Sequence, residues 1–221
     1  MERPILFNDE MVRAILDGRK TQTRRVIKPQ PRHIVRPEDG GSNLMFFSRQ
    51  GKEVRSQPID IPDNYPILHS PYGAPGDRLW VREAWYKVPI SCSWNGLPSK
   101  TSPDLRWSAF YRTGFDRSAP RGCKPSIHMP RWASRITLEV MNIRVQRLQE
   151  VCEYEATLEG TPEPTGRPGC YPAPWATYVP GPTTYIESFA KLWDKINEKR
   201  GYSWESNPWV WVIQFKRAQS G

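Results

Sequence analysis

The chain has 221 residues, and its 32 lysines and arginines against 23 aspartates and glutamates give a formal net charge of +9. The length predicts a single domain over residues 1–221, and the positive charge favours a polyanionic partner, with nucleic acid ahead of a membrane surface. The sequence has no run of about 18 apolar residues and no apolar core behind its first charges, so we expect a cytoplasmic protein with no membrane partner.

The first predicted elements are a short strand and a helix. Pro4 to Phe7 predicts the strand, and Asn8 is expected to cap the helix, whose first turn is acidic. Gly18 is expected to end the helix in the left-handed conformation that glycine favours. The apolar residues that place the helix on a core face are Met11, Val12, Ile15 and Leu16.

Three stretches rich in proline, glycine and polar residues predict long loop insertions near residues 29–75, 89–131 and 160–182. Between the first two, residues 78–88 predict one strand that follows a Gly-Asp turn. Glu83 breaks the apolar row of this strand, which indicates either a functional site or an ion pair with Arg82 or another arginine.

The second half of the chain contains the clearest elements. Residues 107–112 predict a strand, and residues 134–148 predict a strand pair or one long bent strand with a turn or bulge at Met141-Asn142. A short helix is expected over residues 150–159, with Gly160 as its stop.

A longer helix and a closing strand complete the predicted fold. Thr184 and Glu187 form a capping box for a helix over residues 184–199, and residues 208–216 are apolar on both faces, as in a central strand. The sum is an α+β fold, a small mixed β-sheet or barrel with two or three helices and long proline-rich loops.

No cofactor or metal site is expected. The cysteines contain no C-x-x-C pair, none of the histidines lies at ligand spacing from a cysteine, and only a site assembled by the fold stays open. The signatures G-x-x-x-x-G-K-[ST], G-x-G-x-x-G, H-E-x-x-H and G-x-S-x-G are also missing, which argues against P-loop, Rossmann, zincin and elbow-type serine hydrolase activities. The cysteines and histidines are Cys92, Cys123, Cys152, Cys170, His33, His69 and His128.

The segment from Gly18 to Arg25 combines four cations with threonine hydroxyls. Repulsion among the cations should lower the pKa of Lys20, which would let this lysine act as a base toward the hydroxyl of Thr23. The alternatives are a lysine that contacts phosphate or simply solvent. Arg19, Arg24 and Arg25 suit an anion clamp, or else ion pairs with Glu83, Glu139 or Glu159.

A second candidate nucleic-acid contact lies before the predicted strand at residue 134. Arg131 and Trp132 place a cation beside an aromatic ring, an arrangement that can stack a base, although a tryptophan in the core explains the pair as well. Arg82 is included in the same nucleic-acid-binding set.

Four blocks of the sequence resemble the ASCH domain family, whose fold is a PUA-like β-barrel. Residues 15–25 are similar to its opening motif, residues 75–83 to its glycine-aspartate turn and strand, residues 136–160 to its next strand and helix, and residues 207–212 to its closing strand. The chain looks like the larger ASCH proteins of bacteriophages and prophages, which implies expression in the cytoplasm of a bacterial host. The resemblance leaves the three insertions unexplained.

The resemblance implies association with RNA or another nucleic acid, or with a modified nucleoside. One bacterial branch of the family removes the acetyl group from N4-acetylcytidine with a lysine, a threonine and a glutamate. By position, Lys20 takes the role of activating base and Thr23 that of nucleophile. Glu159 takes the role of the glutamate, with Glu155 and Glu153 as open alternatives.

Another branch of the family has ribonuclease activity, so a ribonuclease-type enzyme is a second expectation. The sequence also leaves two non-enzymatic functions open. One is a binding module for single-stranded nucleic acid that uses the same basic surface, and the other is a phage assembly factor that binds a protein partner.

Overall fold

The computed structural model describes residues 1–31, 34–35, 46–47, 69–91, 99–115, 121–165 and 184–218. In these ranges the strands are β1 (Glu2–Leu6), β2 (Gln22–Val26), β3 (Ile34–Val35), β4 (Phe46–Phe47), β5 (Arg78–Arg82), β6 (Trp85–Pro89), β7 (Ser99–Thr101), β8 (Trp107–Tyr111), β9 (Thr137–Arg147) and β10 (Trp209–Arg217). The α-helices are α1 (Asp9–Leu16), α2 (Glu153–Leu158) and α3 (Tyr185–Asn197).

The described strands form three sheets. The largest has the order β1-β5-β9-β10-β2, in which β1 and β5 are parallel and the other neighbours are antiparallel. A second sheet has the order β6-β8-β7, and β3 pairs with β4. The predicted α+β class is confirmed, and the described strands form no closed barrel, with β1 and β2 as the two edges of the large sheet.

Strand β10 divides the core into two layers, as its apolar pattern predicts. Trp211, Ile213 and Phe215 join the buried cluster that contains α1 and β1, while Val210 and Val212 join the cluster that contains α2 and α3. The central position of β10 between β9 and β2 is therefore confirmed. A strand that is apolar on both faces needs a covering layer on each side, and the three helices supply these layers.

The phase change in β9 is a β-bulge within one continuous strand. Gln214 of β10 pairs with Asn142, but Phe215 pairs with Val140, so Met141 is the extra residue on β9. Met141 is exposed, whereas Val140 before the bulge and Ile143 after it are buried in the core. The predicted bulge at Met141-Asn142 is confirmed, and of the two expected arrangements the structure has the single bent strand.

The single strand predicted over residues 78–88 is wrong, because the chain leaves the large sheet after β5 and enters the second sheet as β6. Glu83 lies at the break, almost fully buried. Its two carboxylate oxygens accept hydrogen bonds from Nε and Nη2 of Arg135, each at 2.9 Å. The predicted ion pair of Glu83 is confirmed with Arg135 as the partner, and the buried pair holds the chain where it changes sheets.

The helix caps follow the sequence closely. The side chain of Asn8 accepts a hydrogen bond from the Met11 amide at 2.8 Å, and Thr184 accepts one from the Glu187 amide at 3.1 Å. Gly18 has a φ of 75°, as expected for the stop after α1. Helix α2 is shorter than the predicted helix, because residues 148–150 form a 3-10 turn and the α-helix begins only at Glu153.

Strand β2 is missing from the sequence-based prediction, and much of the predicted insertions lies outside the described residues. The described part of the middle insertion comprises residues 89–91, 99–115 and 121–131. It contains β7, β8 and two 3-10 turns, and a third 3-10 turn begins at Arg131. The predicted strand near residues 107–112 is confirmed as β8. Of the described helices, none has the length and apolar character needed to cross a membrane.

Candidate functional site

Lys20 and Glu159 form the centre of the candidate site. They face each other in an isolated antiparallel bridge that joins the chain after α1 to the chain after α2. Lys20 Nζ donates hydrogen bonds to the main-chain oxygen of Glu159 at 2.6 Å and to its carboxylate Oε2 at 3.1 Å. The two side chains are 0% and 4% exposed, so the ion pair is shielded from water.

Gly160 allows this close approach. Its φ is 71°, and a Cβ at this position would lie 2.8 Å from Cβ of Ala14 and 3.0 Å from Cβ of Lys20. The left-handed conformation and the lack of space both require glycine here. The predicted helix stop therefore also brings Glu159 against Lys20.

Arg24 and Arg144 extend the ion pair into a chain of alternating charges. Arg24 donates from one nitrogen to Glu159 Oε1 at 2.9 Å and from another to Glu155 Oε2 at 2.6 Å. The other oxygen of Glu155 accepts a hydrogen bond from Arg144. We call these five residues, Lys20, Glu159, Arg24, Glu155 and Arg144, the Glu159 network.

The Glu159 network shifts the titration of its central pair. Burial lowers the pKa of Lys20, although the carboxylate of Glu159 opposes the shift. The lowered pKa of this lysine agrees with the sequence-based expectation, but its main cause is desolvation rather than the neighbouring arginines. Burial disfavours the charged form of Glu159, yet the charges and hydrogen bonds of Lys20 and Arg24 outweigh it, so the pKa of the carboxyl is lowered.

Thr23 lies on β2, opposite Ile213 of β10, and is 2% exposed. Because side chains alternate along a strand, Thr23 and Arg25 share one face of β2 and Arg24 lies on the other. Lys20 Nζ is 5.8 Å and the Arg25 guanidinium 5.0 Å from the ring centroid of Phe7. Lys20 and Arg25 therefore lie near the same aromatic ring.

A cavity of about 310 Å³ opens beside this cluster. Edge strand β2, helix α3 and the end of α2 form much of its wall. Its lining includes four predicted site residues and two aromatic residues of α3: Thr23, Arg24, Arg25, Glu159, Phe189 and Trp193.

Further cations and aromatic rings line the same cavity. Lys28 and Arg200 are exposed, and the ammonium of Lys28 lies 5.2 Å from the ring centroid of Tyr202. Tyr72 contributes from the segment before β5. The cavity therefore combines cations with flat aromatic surfaces, which are the two features that bind phosphates and bases.

The structure brings together five of the nine site residues that the sequence predicts: Lys20, Thr23, Glu159, Arg24 and Arg25. Arg24 forms ion pairs with Glu155 and Glu159, which confirms the ion-pair alternative to the anion clamp for this arginine. Arg25 donates to the main-chain oxygen of Leu6 and lines the cavity. Of the other two glutamates left open, Glu155 belongs to the network, whereas Glu153 accepts hydrogen bonds from the first amides of α3.

The remaining four predicted residues lie elsewhere. Arg19 is exposed and pairs with Asp17 at 3.0 Å. Arg82 and Arg131 lie over the ring of Trp80, with centroid distances of 5.4 and 6.0 Å, and Arg131 also binds the carboxylate of Glu2.

Trp132 packs edge-on against Trp85, at 5.8 Å between centroids, and belongs to a core cluster. None of these four residues lines the cavity that contains Thr23. Arg82 lies on β5, and Arg131 and Trp132 lie in the loop before β9, so a nucleic-acid contact by these residues or by Arg19 stays a prediction.

Sequence reasoning missed Arg144, which binds Glu155 in the Glu159 network. It also missed cavity residues contributed by other elements: Lys28, Tyr72, Phe189, Trp193, Arg200 and Tyr202. Phe189 and Trp193 are recognisable in the sequence as the apolar face of α3, but the same pattern fits an ordinary core. Lys28 and Arg200 carry no motif, and only the packing of α3 against β2 shows that they meet.

In the described ranges, no three His, Cys, Asp or Glu side chains lie close enough together to hold a metal ion, and Cys123 and Cys152 are free thiols. Comparison of the chain with protein-family models, curated proteins and solved structures found no match.

Proposed function

We propose that this chain is a hydrolase of the ASCH type with a PUA-like fold, which removes an acyl group from a modified nucleoside such as N4-acetylcytidine. The observation that carries the proposal is that Thr23 and Glu159 line one cavity while Lys20 binds the carboxylate of Glu159. The resemblance of residues 15–25 to the opening motif of that family supports the same three roles.

In the proposed reaction Thr23 is the nucleophile. Its Oγ attacks the acyl carbon, the bond from that carbon to the exocyclic nitrogen breaks, and the hydroxyl proton ends on the departing nitrogen. A water molecule then attacks the threonine ester, the carboxylic acid leaves, and Thr23 regains its proton. The burial of Thr23 at the cavity wall protects the ester from other nucleophiles.

Lys20 is the base in this proposal, and Glu159 is the carboxylate that positions it. A base toward Thr23 must be the neutral amine, and burial of Lys20 favours that form. Glu159, whose pKa is lowered, stays a carboxylate and accepts a hydrogen bond from Nζ through Oε2, so it positions the lysine. Arg24 binds the other oxygen of Glu159 and so holds the carboxylate in position.

The aromatic residues of the cavity suit the base of the substrate. Phe189 and Trp193 of α3 face the cavity from one side and Tyr72 contributes another ring. Base stacking on aromatic side chains contributes about 1–3 kcal/mol per base in proteins that bind single-stranded nucleic acid. A cytosine stacked here would lie beside Thr23 and Glu159.

One observation favours a second candidate, a binding module without chemistry. Each charge of the Glu159 network already has an opposite partner, so the network can serve to hold β2 against α2. In that case the cavity would bind a nucleoside or nucleotide and release it unchanged.

Liquid chromatography of N4-acetylcytidine incubated with the protein tests the enzymatic proposal. We expect wild type to release cytidine and Thr23→Ala to lower kcat about 1,000-fold or more, because it removes the nucleophile. Thr21→Ala is the matched control, since Thr21 is a threonine two residues away that does not line the cavity. If Thr23→Ala kept the kcat of the wild type, the role of Thr23 would be contradicted. If the wild-type protein bound cytidine but did not turn over N4-acetylcytidine, the binding module would be favoured.

A further inference from the structure

Three cations of the cavity have no described counter-charge. The carboxylate of Glu159, which lines the cavity, is already bound by Lys20 and Arg24. Among the described residues, no carboxylate forms an ion pair with Arg25, Lys28 or Arg200. The cavity therefore carries a positive charge that its own acidic residue does not neutralise.

Arg25 and Arg200 are close enough to repel each other. Burial lowers the pKa of Arg25, and the charge of Arg200 lowers it further, while Tyr72 and Glu159 act in the opposite direction. Like charges held beside one cavity are unfavourable unless an anion lies between them. Guanidinium groups bind phosphate oxygens through two parallel hydrogen bonds, which suits this arrangement.

The size of the cavity limits the anion. Ligand cavities range from about 300 to 1,000 Å³, and the present one, at about 310 Å³, is at the lower end. A single base, sugar and phosphate suits this volume better than a strand, which needs an open groove with a repeated set of contacts. The exposed positions of Lys28 and Arg200 place the positive charge toward solvent, with Thr23 and Glu159 deeper in the wall.

We propose that the ligand of this cavity is a nucleoside monophosphate, whose phosphate is bound by Arg25, Lys28 and Arg200 while its base lies beside Thr23 and Glu159. The identity of the base rests on the proposed function, but the phosphate contacts do not depend on catalysis. Under this proposal the enzyme acts on an N4-acylated cytidine monophosphate in preference to the free nucleoside.

Isothermal titration of the full chain with cytidine and with cytidine 5′- and 3′-monophosphate tests the phosphate contacts without turnover. We expect one of the monophosphates to bind about tenfold or more tightly than cytidine, because hydrogen bonds to charged groups exceed those to neutral groups. The advantage should shrink as salt is raised, since Lys28 and Arg200 are exposed.

Lys28→Ala and Arg200→Ala assign the phosphate contacts to side chains. Each should remove most of the preference for the monophosphate and leave the affinity for cytidine unchanged. Lys199→Ala is the matched control, because Lys199 is an exposed cation next to Arg200 that does not line the cavity. All three positions are exposed, so these variants are expected to fold.

The outcomes separate this proposal from the enzymatic one. Equal affinities for cytidine and both monophosphates would overturn the phosphate site, and so would an equal loss with Lys199→Ala and Arg200→Ala. If a cytidine-containing oligonucleotide bound tenfold more tightly than the monophosphates, the proposed mononucleotide ligand would be overturned, and a nucleic-acid strand would be the ligand instead. Preferential binding of a monophosphate with no deacylation of its N4-acetyl form would confirm the phosphate site and contradict the hydrolase.

Discussion

Two buried glutamates in this fold have different surroundings. Glu83 and Glu159 are 1% and 3% exposed, and both bind an arginine. Around Glu83, Arg135 binds both carboxylate oxygens and Thr113 adds a hydrogen bond at 3.0 Å. We call Glu83, Arg135 and Thr113 the Glu83 network.

The Glu83 network is closed on itself. The guanidinium of Arg135 lies 4.0 Å from the ring centroid of Tyr111, and the hydroxyl of Tyr111 donates to the main-chain oxygen of Ala133. One carboxylate thus meets one cation with its oxygens satisfied, at the point where the chain changes sheets. Glu83 therefore has a structural role, because its charge and its oxygens have partners within the Glu83 network.

Glu159 differs from Glu83 in two respects. It binds two cations, Lys20 and Arg24, and it lines a cavity. Burial of a carboxylate therefore does not identify a site, because both glutamates share it. The additional desolvated lysine and the adjoining cavity are the features that distinguish a candidate for chemistry from a structural ion pair.

The largest expected difference between the networks is in turnover. Glu159→Gln removes the carboxylate that positions Lys20 and should lower kcat for N4-acetylcytidine by about 100-fold to 10,000-fold. Glu83→Gln should keep kcat per folded molecule within about threefold, because Glu83 does not line the cavity. The measurement is initial-rate kinetics on protein whose folded fraction is checked by circular dichroism. Equal losses in both variants would remove the distinction between the two networks.

Stability should separate the networks less strongly. Removal of one partner from a buried ion pair typically costs about 3–5 kcal/mol, because the remaining charge is left without compensation. Glu159→Gln leaves the fully buried Lys20 without a carboxylate, although Arg24 keeps Glu155, whereas Glu83→Gln leaves Arg135, whose side chain is partly exposed. We therefore expect the larger loss for Glu159→Gln. Urea unfolding gives both free energies, and a larger loss for Glu83→Gln would contradict the assigned difference.

Acid should reduce the contribution of Glu159 to stability. The pKa of its carboxyl is lowered in the folded state from an ordinary value of 4.5, so the unfolded chain takes up the proton first as pH falls. The stabilisation is complete above about 4.5 and is lost as pH falls through the lowered pKa of the folded state. The gap in unfolding free energy between wild type and Glu159→Gln should therefore narrow below pH 4.5.

Thr21→Ala is the control for this measurement, because it removes no ionisable group, and its gap from wild type should stay constant over the same pH range. A gap for Glu159→Gln that widens on acidification would show that the carboxyl has a raised pKa instead.

The smallest expected effect concerns the approach of Glu159 to Lys20. Gly201→Ala places a side chain at a φ of 82° with no neighbouring atom within 4 Å, and should cost about 1 kcal/mol. Gly160→Ala adds an overlap with Ala14 and Lys20, so it should cost about 1–3 kcal/mol more. Thermal unfolding of both variants makes the comparison, and equal losses would mean that the space around Gly160 can expand.

The sequence predicted elements whose signals are local. The caps of α1 and α3 depend on residues three positions apart, and the bulge at Met141 is visible as a change of phase within one strand. The apolar character of β10 on both faces predicts a central strand wherever its partners lie. The strand predicted over residues 78–88 is wrong because alternation alone does not show that Glu83 binds Arg135, 52 residues away.

For the site, the sequence by itself determined the segment that supplies Lys20, Thr23 and the arginines, since helix stop, charges and hydroxyls all lie within eight residues. Only the tertiary structure decided which charges meet. Glu159 reaches Lys20 across 139 residues because α2 ends at a glycine that tolerates close packing, and Arg24 turns to the same carboxylate because strand alternation directs it toward α2. The cavity, with three cations that have no ion-pair partner among the described residues, arises where α3 packs beside an edge strand, and no local pattern encodes that contact.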